Sequence, residues 1–265
     1  MPSSNPAFGR GFASAISRSQ QGGWGQTQTA PSQYDPYAAP SPYARSTVRY
    51  MTMDDVFTKT GLSFLVTVLA AAAIWALPGQ TGWGLALPAV FAGLILGLVI
   101  SFRGIANPVA TLAYAAIEGV FLGAISEAFN TVYPGIVIQA VLGTFGVFIG
   151  MLVVYKTGAI RVTPKFTRWL VGALVGALLL MVANFVLALF HVDLGLRSGG
   201  GLAIAFSLLV IGIAALSLLV DFDMADEAIR RGAPAKFAWY VAFGLLVTVI
   251  WLYLEILRLL AISRD

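Results

Sequence analysis

Ionisable side chains interrupt the long apolar segments of this sequence. Those inside such segments or at their ends include Arg103, Glu118, Glu127, Asp221, Asp223, Glu255 and Arg258. An ionised side chain at the centre of a membrane helix costs roughly 2.5–3.5 kcal/mol on insertion scales, so each of these residues needs a structural or functional reason. Carboxylates in such positions are typical of pathways for cations or protons. The chemistry that these residues predict is therefore ion or proton movement.

The five acids are spread over the depth of their segments. Asp221 and Asp223 stand at one end, Glu118 near the middle, and Glu127 and Glu255 near the other end. Nine residues separate Glu118 from Glu127, which turns a helix by about 900°, so these two acids point to opposite faces and cannot form one paired-carboxylate site. The arrangement predicts a ladder of carboxylates for a cation or a proton.

Two arginines stand where they could pair with these acids. Arg258 lies three residues after Glu255, a spacing that lets two side chains meet on one helix face. Arg103 ends its segment on the same predicted side of the membrane as Asp221 and Asp223, so an Asp–Arg pair is possible there. A purely structural pair is the alternative for Glu255 and Arg258, and a solvated position at the membrane surface is the alternative for the two aspartates.

Seven apolar segments carry these residues, and each is close to the roughly 20 residues that a helix needs to cross the hydrocarbon. They cover residues 56–77, 83–102, 109–132, 135–155, 166–190, 201–220 and 237–260. None alternates with a period of two, which excludes a transmembrane β-barrel. Of the 265 residues 58% are apolar and 11% are charged, against about a quarter charged in soluble domains. The sequence predicts an all-α integral membrane protein, a bundle of seven transmembrane helices.

The basic residues predict the orientation of this bundle. Thirteen Lys and Arg precede the first segment, begin it, or lie in the connections 2–3, 4–5 and 6–7, whereas the opposite connections hold only Arg197. Cytoplasmic connections carry the excess of positive charge in membrane proteins. We therefore expect a multi-pass protein of the bacterial inner membrane, with its N-terminus in the cytoplasm and its C-terminus outside.

The first 50 residues differ in composition from the rest. Gly, Pro, Ser and Gln supply 24 of these 50 positions. Such a segment cannot bury enough apolar surface to offset the entropy lost on ordering. The sequence therefore predicts a disordered cytoplasmic tail over residues 1–50 and a transmembrane domain over residues 51–265. The tail could bind other membrane proteins, or it could be a solvated leader without a role.

Pairs of glycines four residues apart recur in four consecutive segments. They are Gly93 with Gly97, Gly119 with Gly123, Gly146 with Gly150, and Gly172 with Gly176. Glycines at this spacing line one helix face and let two backbones approach closely. We expect close packing along predicted helices 2 to 5; the alternative is that membrane helices are simply rich in glycine.

Several classes of chemistry are excluded by residues that the sequence lacks. It has no Cys, so disulfides, Cys-based metal sites and thiol nucleophiles are absent, and its single His excludes a His-rich metal site. No phosphate-binding loop is present, and no basic stripe supports nucleic-acid binding. We expect no enzyme activity, no cofactor and no resident metal. Transient binding of Ca²⁺ at Asp221, Asp223 and Glu118 is the metal chemistry that remains.

Three blocks of the sequence carry a resemblance to a known family. Ile-Glu-Gly-Val-Phe-Leu-Gly-Ala-Ile-Ser occupies residues 117–126, and Tyr-Pro-Gly-Ile-Val occupies residues 133–137. The third block has Asp-Phe-Asp at 221–223, Gly-Ala-Pro at 232–234 and Trp-Leu-Tyr-Leu-Glu-Ile-Leu-Arg-Leu-Leu at 251–260. Over residues 50–265 the chain resembles bacterial Bax inhibitor-like proteins of the transmembrane Bax inhibitor motif family.

The resemblance implies a fold in which the last of seven helices is central and is wrapped by the other six. It also implies a pH-sensitive calcium leak and a link to stress or cell-death regulation. In that family two aspartates sense pH, one at the end of helix 6 and one within helix 7, and an arginine from helix 2 acts as a latch. Asp221 or Asp223 matches the first aspartate and Arg103 matches the latch, whereas Thr248 stands at the position of the second aspartate.

Because Thr248 stands at the position of the family's second aspartate, the identity of the second acid in a pH sensor stays open. Glu255, on the same helix face two turns later, and Glu118 from helix 3 are the acids that could replace it. We expect a pH-modulated cation pathway, with calcium as the first candidate ion, that opens at its cytoplasmic end when protonation of an aspartate weakens its contact with the arginine latch. The alternative is a membrane adaptor that transports nothing and binds other membrane proteins in a stress response.

Overall fold

The computed structural model describes residues 49–77, 81–191, 195 and 200–264, with the side chains of residues 81–83 outside this description. Within these ranges the long helices are α1 (Met53–Trp75), α2 (Thr81–Arg103), α3 (Pro108–Val132), α4 (Ile136–Thr157), α5 (Pro164–Leu189), α6 (Gly201–Arg230) and α7 (Ala238–Ile262). All seven are long and apolar enough to cross a membrane. The prediction of an all-α, seven-helix membrane protein is confirmed.

Local sequence signals place the ends of several helices. Thr52 and Asp55 form a reciprocal capping box at the start of α1. Asn107 and Thr163 cap α3 and α5, each directly before a proline at the first helical position. These side chains satisfy backbone N–H groups that have no partner inside the helix. Capping side chains therefore fix where α1, α3 and α5 begin.

Helix α6 is longer than the sequence predicts. The apolar segment ends at residue 220, but the helix continues to Arg230, so Asp221 and Asp223 lie inside the helix instead of at its end. Ion pairs between Arg230 and Asp226 at 2.8 Å, and between Arg231 and Glu227 at 2.7 Å, join residues four apart along this extension. Such pairs stabilise a helix where its surface is no longer apolar. Hydropathy alone could not reveal this continuation.

Helix α7 is the centre of the bundle. It packs directly against α1, α3, α4 and α6, whereas α2 packs mainly against α3, and α5 mainly against α6. Leu246, Leu252 and Leu257 of α7 are fully buried in the main apolar core. The central position that the resemblance implied is thus present, with four helices in its close shell and two outside it.

The glycine pairs divide into two groups. A methyl group on Gly119 would collide with the Thr67 carbonyl oxygen of α1, and one on Gly123 would lie 2.6 Å from the Ala71 carbonyl oxygen. Gly93 and Gly97 of α2 similarly face side chains of α3. The pairs in α4 and α5 have open space beside them, so the prediction of close packing there is wrong. Helices α4 and α5 turn those faces away from their neighbours.

Helices α1, α3, α5 and α7 begin at one end of the bundle, where α2, α4 and α6 finish. We name this the basic end, because many positive charges lie there: Arg103, Lys156, Arg161, Lys165, Arg168, Arg230, Arg231 and Lys236. At this end the segment before α1 pairs with the connection between α6 and α7. Met51 donates its N–H to the Ala233 carbonyl at 2.8 Å, and Ala235 donates to the Arg49 carbonyl at 2.8 Å.

The predicted tail over residues 1–50 lies outside the described residues, apart from Arg49 and Tyr50. Tyr50 forms a single antiparallel bridge with Pro234. The last two residues assigned to the tail are therefore attached to the helical bundle. The disorder predicted for residues 1–48, and the division of the chain at residue 50, stay predictions.

Candidate functional site

A hydrogen bond between α6 and α7 holds one of the predicted carboxylates. The Thr248 hydroxyl donates to Asp221 Oδ2 at 2.6 Å, and it also lies 3.2 Å from the Gly244 carbonyl oxygen. A methyl group on Gly244 would stand 4.0 Å from Asp221 Oδ1, an ordinary contact distance, so the approach does not depend on glycine. Asp221 is partly buried, so this bond links the central helix to its neighbour away from free solvent.

The second predicted aspartate faces a different helix. The Tyr155 hydroxyl of α4 lies 3.5 Å from Asp223 Oδ1 and 3.4 Å from Asp226 Oδ2. Asp226 is also paired with Arg230 at 2.8 Å. Two residues turn a helix by about 200°, so Asp221 turns towards α7 and Asp223 towards α4. The two aspartates therefore belong to separate polar clusters.

Arg103 does not reach these aspartates. Its side chain is exposed at the end of α2, and it forms no ion pair with any residue that the structure describes. Helix α2 packs mainly against α3, whereas α6, which carries both aspartates, packs mainly against α7 and α4. The latch contact expected from the resemblance is not formed in this structure.

Glu118 lies in a cavity of its own. The cavity measures about 320 Å³ and is lined by residues of α2, α3 and α7. The Glu118 carboxylate interacts with Tyr114 one turn earlier, and a methyl group on Gly93 would stand 2.6 Å from Glu118 Oε1. Glu127 is not among the residues that line this cavity, and it has no ion pair within the described part of the chain.

Glu255 and Arg258 of α7 form a buried ion pair. Arg258 Nη1 lies 3.1 Å from Glu255 Oε2, and their side chains are only 12% and 6% exposed. The spacing of three residues therefore predicts the contact correctly. Because so little solvent reaches these side chains, each charge is stabilised mainly by the other. Either charge alone would be unfavourable in the apolar core or in lipid.

Breaking this pair is expected to destabilise the bundle strongly. Removing one partner of a buried ion pair leaves the other charge uncompensated, which costs about 3–5 kcal/mol. Arg258→Leu and Glu255→Leu should each lower the melting temperature of the purified protein in detergent, and the double variant should recover part of the loss. Single variants that melt with the wild type would contradict a structural role for the pair.

Three hydroxyl side chains that the sequence did not single out also join helices. Ser126 of α3 and Tyr253 of α7 share a buried hydrogen bond of 2.7 Å, and Tyr155 of α4 contacts the aspartates of α6. Tyr155 stands at the end of an apolar segment and on the same side as Asp223, so depth alone was an available signal. The rotation of each helix about its own axis, which decides such contacts, cannot be read from the sequence.

Comparison with known protein families identifies the family of this chain. A family model described as "Bax inhibitor 1 like" matches residues 5–265. This chain belongs to the Bax inhibitor 1-like family. No curated protein matches the chain at a significant level. Because the match begins at residue 5, the family relation of this protein extends through the predicted tail as well as the helical bundle.

In this member of the Bax inhibitor 1-like family, Thr248 contacts the aspartate of helix 6. The resemblance places a second aspartate at this position, and the structure places the Thr248 hydroxyl against Asp221. Glu255 is instead paired with Arg258, and Glu118 lies in the cavity between α2, α3 and α7. The contact between α6 and α7 therefore joins one titratable group to one hydroxyl group.

Proposed function

We propose that this membrane protein is a cation leak pathway, with calcium as the first candidate ion, and that protonation of Asp221 opens it. Membership of the Bax inhibitor 1-like family and the seven apolar helices support a function within the membrane. The observation that carries the proposal is the 2.6 Å hydrogen bond from Thr248 to Asp221. It joins α6 to the central helix, nine residues before the end of α6 and ten residues after the start of α7.

The strength of this hydrogen bond depends on the charge of Asp221, which accepts it. A hydrogen bond to an ionised carboxylate is roughly twice as strong as one between neutral groups. When Asp221 takes up a proton, its bond with Thr248 weakens and α6 is held less firmly against α7. The neighbouring charged and titratable groups, Asp223, Asp226, Tyr155 and Arg230, stay in the separate cluster towards α4. Arg103 is not required as a latch in this mechanism.

Calcium flux into liposomes that hold the purified protein tests this function. We expect flux that is higher at about pH 6 than at about pH 8, because the carboxylate is protonated at the lower pH more often. Liposomes without protein give the background. Folded, correctly reconstituted protein that passes no calcium at either pH would overturn the proposal.

An adaptor that binds other membrane proteins in a stress response is the second candidate function. The family match favours it in one respect, because the match starts at residue 5 and so includes the predicted tail. Deletion of residues 1–48 leaves Arg49 and Met51 in place, and with them the backbone bonds to the α6–α7 connection. The adaptor function predicts that this deletion abolishes partner capture, whereas the leak function predicts unchanged calcium flux.

The distribution of basic residues supports a membrane location and an orientation for the protein. We place the protein in the bacterial inner membrane, with the basic end, and hence the N-terminus, in the cytoplasm and the C-terminus outside. The excess of Lys and Arg at that end supports this orientation. We assign the protein no enzymatic reaction and no cofactor. Its partners are the lipid bilayer and the ion or proton that passes, and other membrane proteins would bind through the tail.

A further inference from the structure

The cavity around Glu118 is formed by small residues at regular spacing. Gly93, Gly97 and Ser101 of α2 stand four residues apart and line one side of it. A methyl group on Gly93 would stand 2.6 Å from Glu118 Oε1, and one on Gly97 would stand 3.2 Å from the Tyr114 ring. The glycines therefore provide the room that the carboxylate and the ring occupy. The two glycines, the Glu118 carboxylate and the Tyr114 ring therefore form one continuous part of the cavity wall.

The walls of this cavity are aromatic and aliphatic. Tyr114, Phe121 and Phe243 line it, and the Tyr114 and Phe243 rings meet edge to face with centroids 4.9 Å apart. Among the residues that line it, Glu118 alone carries a charge. The oxygen atoms that its side chains offer come from Glu118, Tyr114 and Ser101. The cavity thus combines one negative charge with aromatic faces and little other polarity.

This donor set does not suit a divalent metal ion. Calcium takes six to eight oxygen ligands at about 2.3–2.6 Å, usually from several carboxylates and carbonyls. No group of three or more metal-ligating side chains that could hold a metal ion exists among the described residues. One carboxylate balances one positive charge, and aromatic faces attract organic cations through their negative quadrupole. A volume of about 320 Å³ is also far larger than a bare ion needs.

The ligand can enter from the surrounding lipid. Leu94 and Leu98 of α2 line the cavity, and their side chains are 56% and 46% exposed on the outer surface of the bundle. Helix α2 packs mainly against α3, so the cavity lies at the edge of the bundle. A ligand with apolar substituents partitions into the bilayer and reaches this edge without crossing the core.

We propose that the cavity between α2, α3 and α7 binds a monovalent organic cation with apolar or aromatic substituents. Glu118 pairs with its positive charge, and Tyr114, Phe121 and Phe243 surround its apolar part. This site is separate from the Asp221–Thr248 contact and does not depend on the proposed leak function. Its test measures binding alone, so its outcome is independent of whether calcium passes.

Phenyltrimethylammonium is a suitable probe, because it joins one fixed positive charge to one aromatic ring. Binding of the labelled probe to the full-length protein in nanodiscs, corrected with empty nanodiscs, should saturate at one site per chain. Glu118→Gln should raise the Kd about tenfold or more, as expected for the loss of about 1.4 kcal/mol of ion pairing. Glu127→Gln, which changes the other carboxylate of α3, should leave the Kd unchanged.

A neutral molecule of the same shape separates charge recognition from simple lipid partition. Tert-butylbenzene carries carbon where the probe carries nitrogen, and it should fail to displace the probe. An unchanged Kd in Glu118→Gln, or displacement by tert-butylbenzene, would overturn the proposal. Displacement of the probe by micromolar calcium would overturn it too, since it would show a divalent site. The neutral competitor needs only the wild-type protein, so the test stands even if the variant fails to fold.

Discussion

Gly119→Ala and Gly123→Ala are each expected to lower the free energy of unfolding by about 3 kcal/mol, at the upper end of the usual cost of overpacking. The added methyl group meets the Thr67 carbonyl oxygen at Gly119, and it lies 2.6 Å from the Ala71 carbonyl oxygen at Gly123. Both obstacles are backbone atoms of α1, which cannot rotate away as a side chain can. Helices α1 and α3 must therefore separate. Thermal unfolding in detergent, followed by size-exclusion chromatography, measures the loss.

Gly146→Ala is the matched control for this prediction. Gly146 belongs to an equally spaced glycine pair, but a methyl group there has open space around it. Alanine favours a helix over glycine by about 1 kcal/mol, so this variant should be as stable as the wild type or slightly more stable. Equal destabilisation of Gly119→Ala and Gly146→Ala would show that the α1–α3 contact is not the tight one.

Asp221→Asn is expected to abolish the pH dependence of calcium flux and to leave flux at its high, acidic level. Asparagine resembles the protonated acid in shape and charge, so it removes the charge-assisted part of the bond from Thr248. Bonds to charged groups exceed neutral ones by about 1 kcal/mol, which changes the equilibrium between the closed and open forms about fivefold. Flux into liposomes at about pH 6 and about pH 8 measures this directly.

Three other variants test whether Asp221 and its bond from Thr248 are the pH sensor. Asp223→Asn should keep the pH dependence, because Asp223 faces Tyr155 of α4 and not the central helix. Thr248→Val removes the donor and should raise flux at about pH 8, whereas Thr248→Ser keeps the hydroxyl and should behave as wild type. A pH response that survives in Asp221→Asn and disappears in Asp223→Asn would transfer the sensor to the α4–α6 cluster.

The sequence by itself determined the elements of this protein. Mainly apolar segments near 20 residues long are unfavourable in water and form helices in lipid, so their number predicted the seven helices. Pro108 and Pro164 begin helices because proline lacks the N–H that the first turn leaves unpaired. The three-residue spacing of Glu255 and Arg258 likewise predicted their ion pair. These are local properties, fixed within one helix or at its end.

Only the tertiary structure decided which helix faces meet. It selected Gly119 and Gly123 for close packing and left Gly146 in open space, although all of them have the same spacing. It also brought Asp221 to Thr248, 27 residues later in the chain, while Arg103 remained apart. The physical reason is that spacing along a helix fixes which side chains share a face. The direction in which that face turns depends on the packing of all seven helices together.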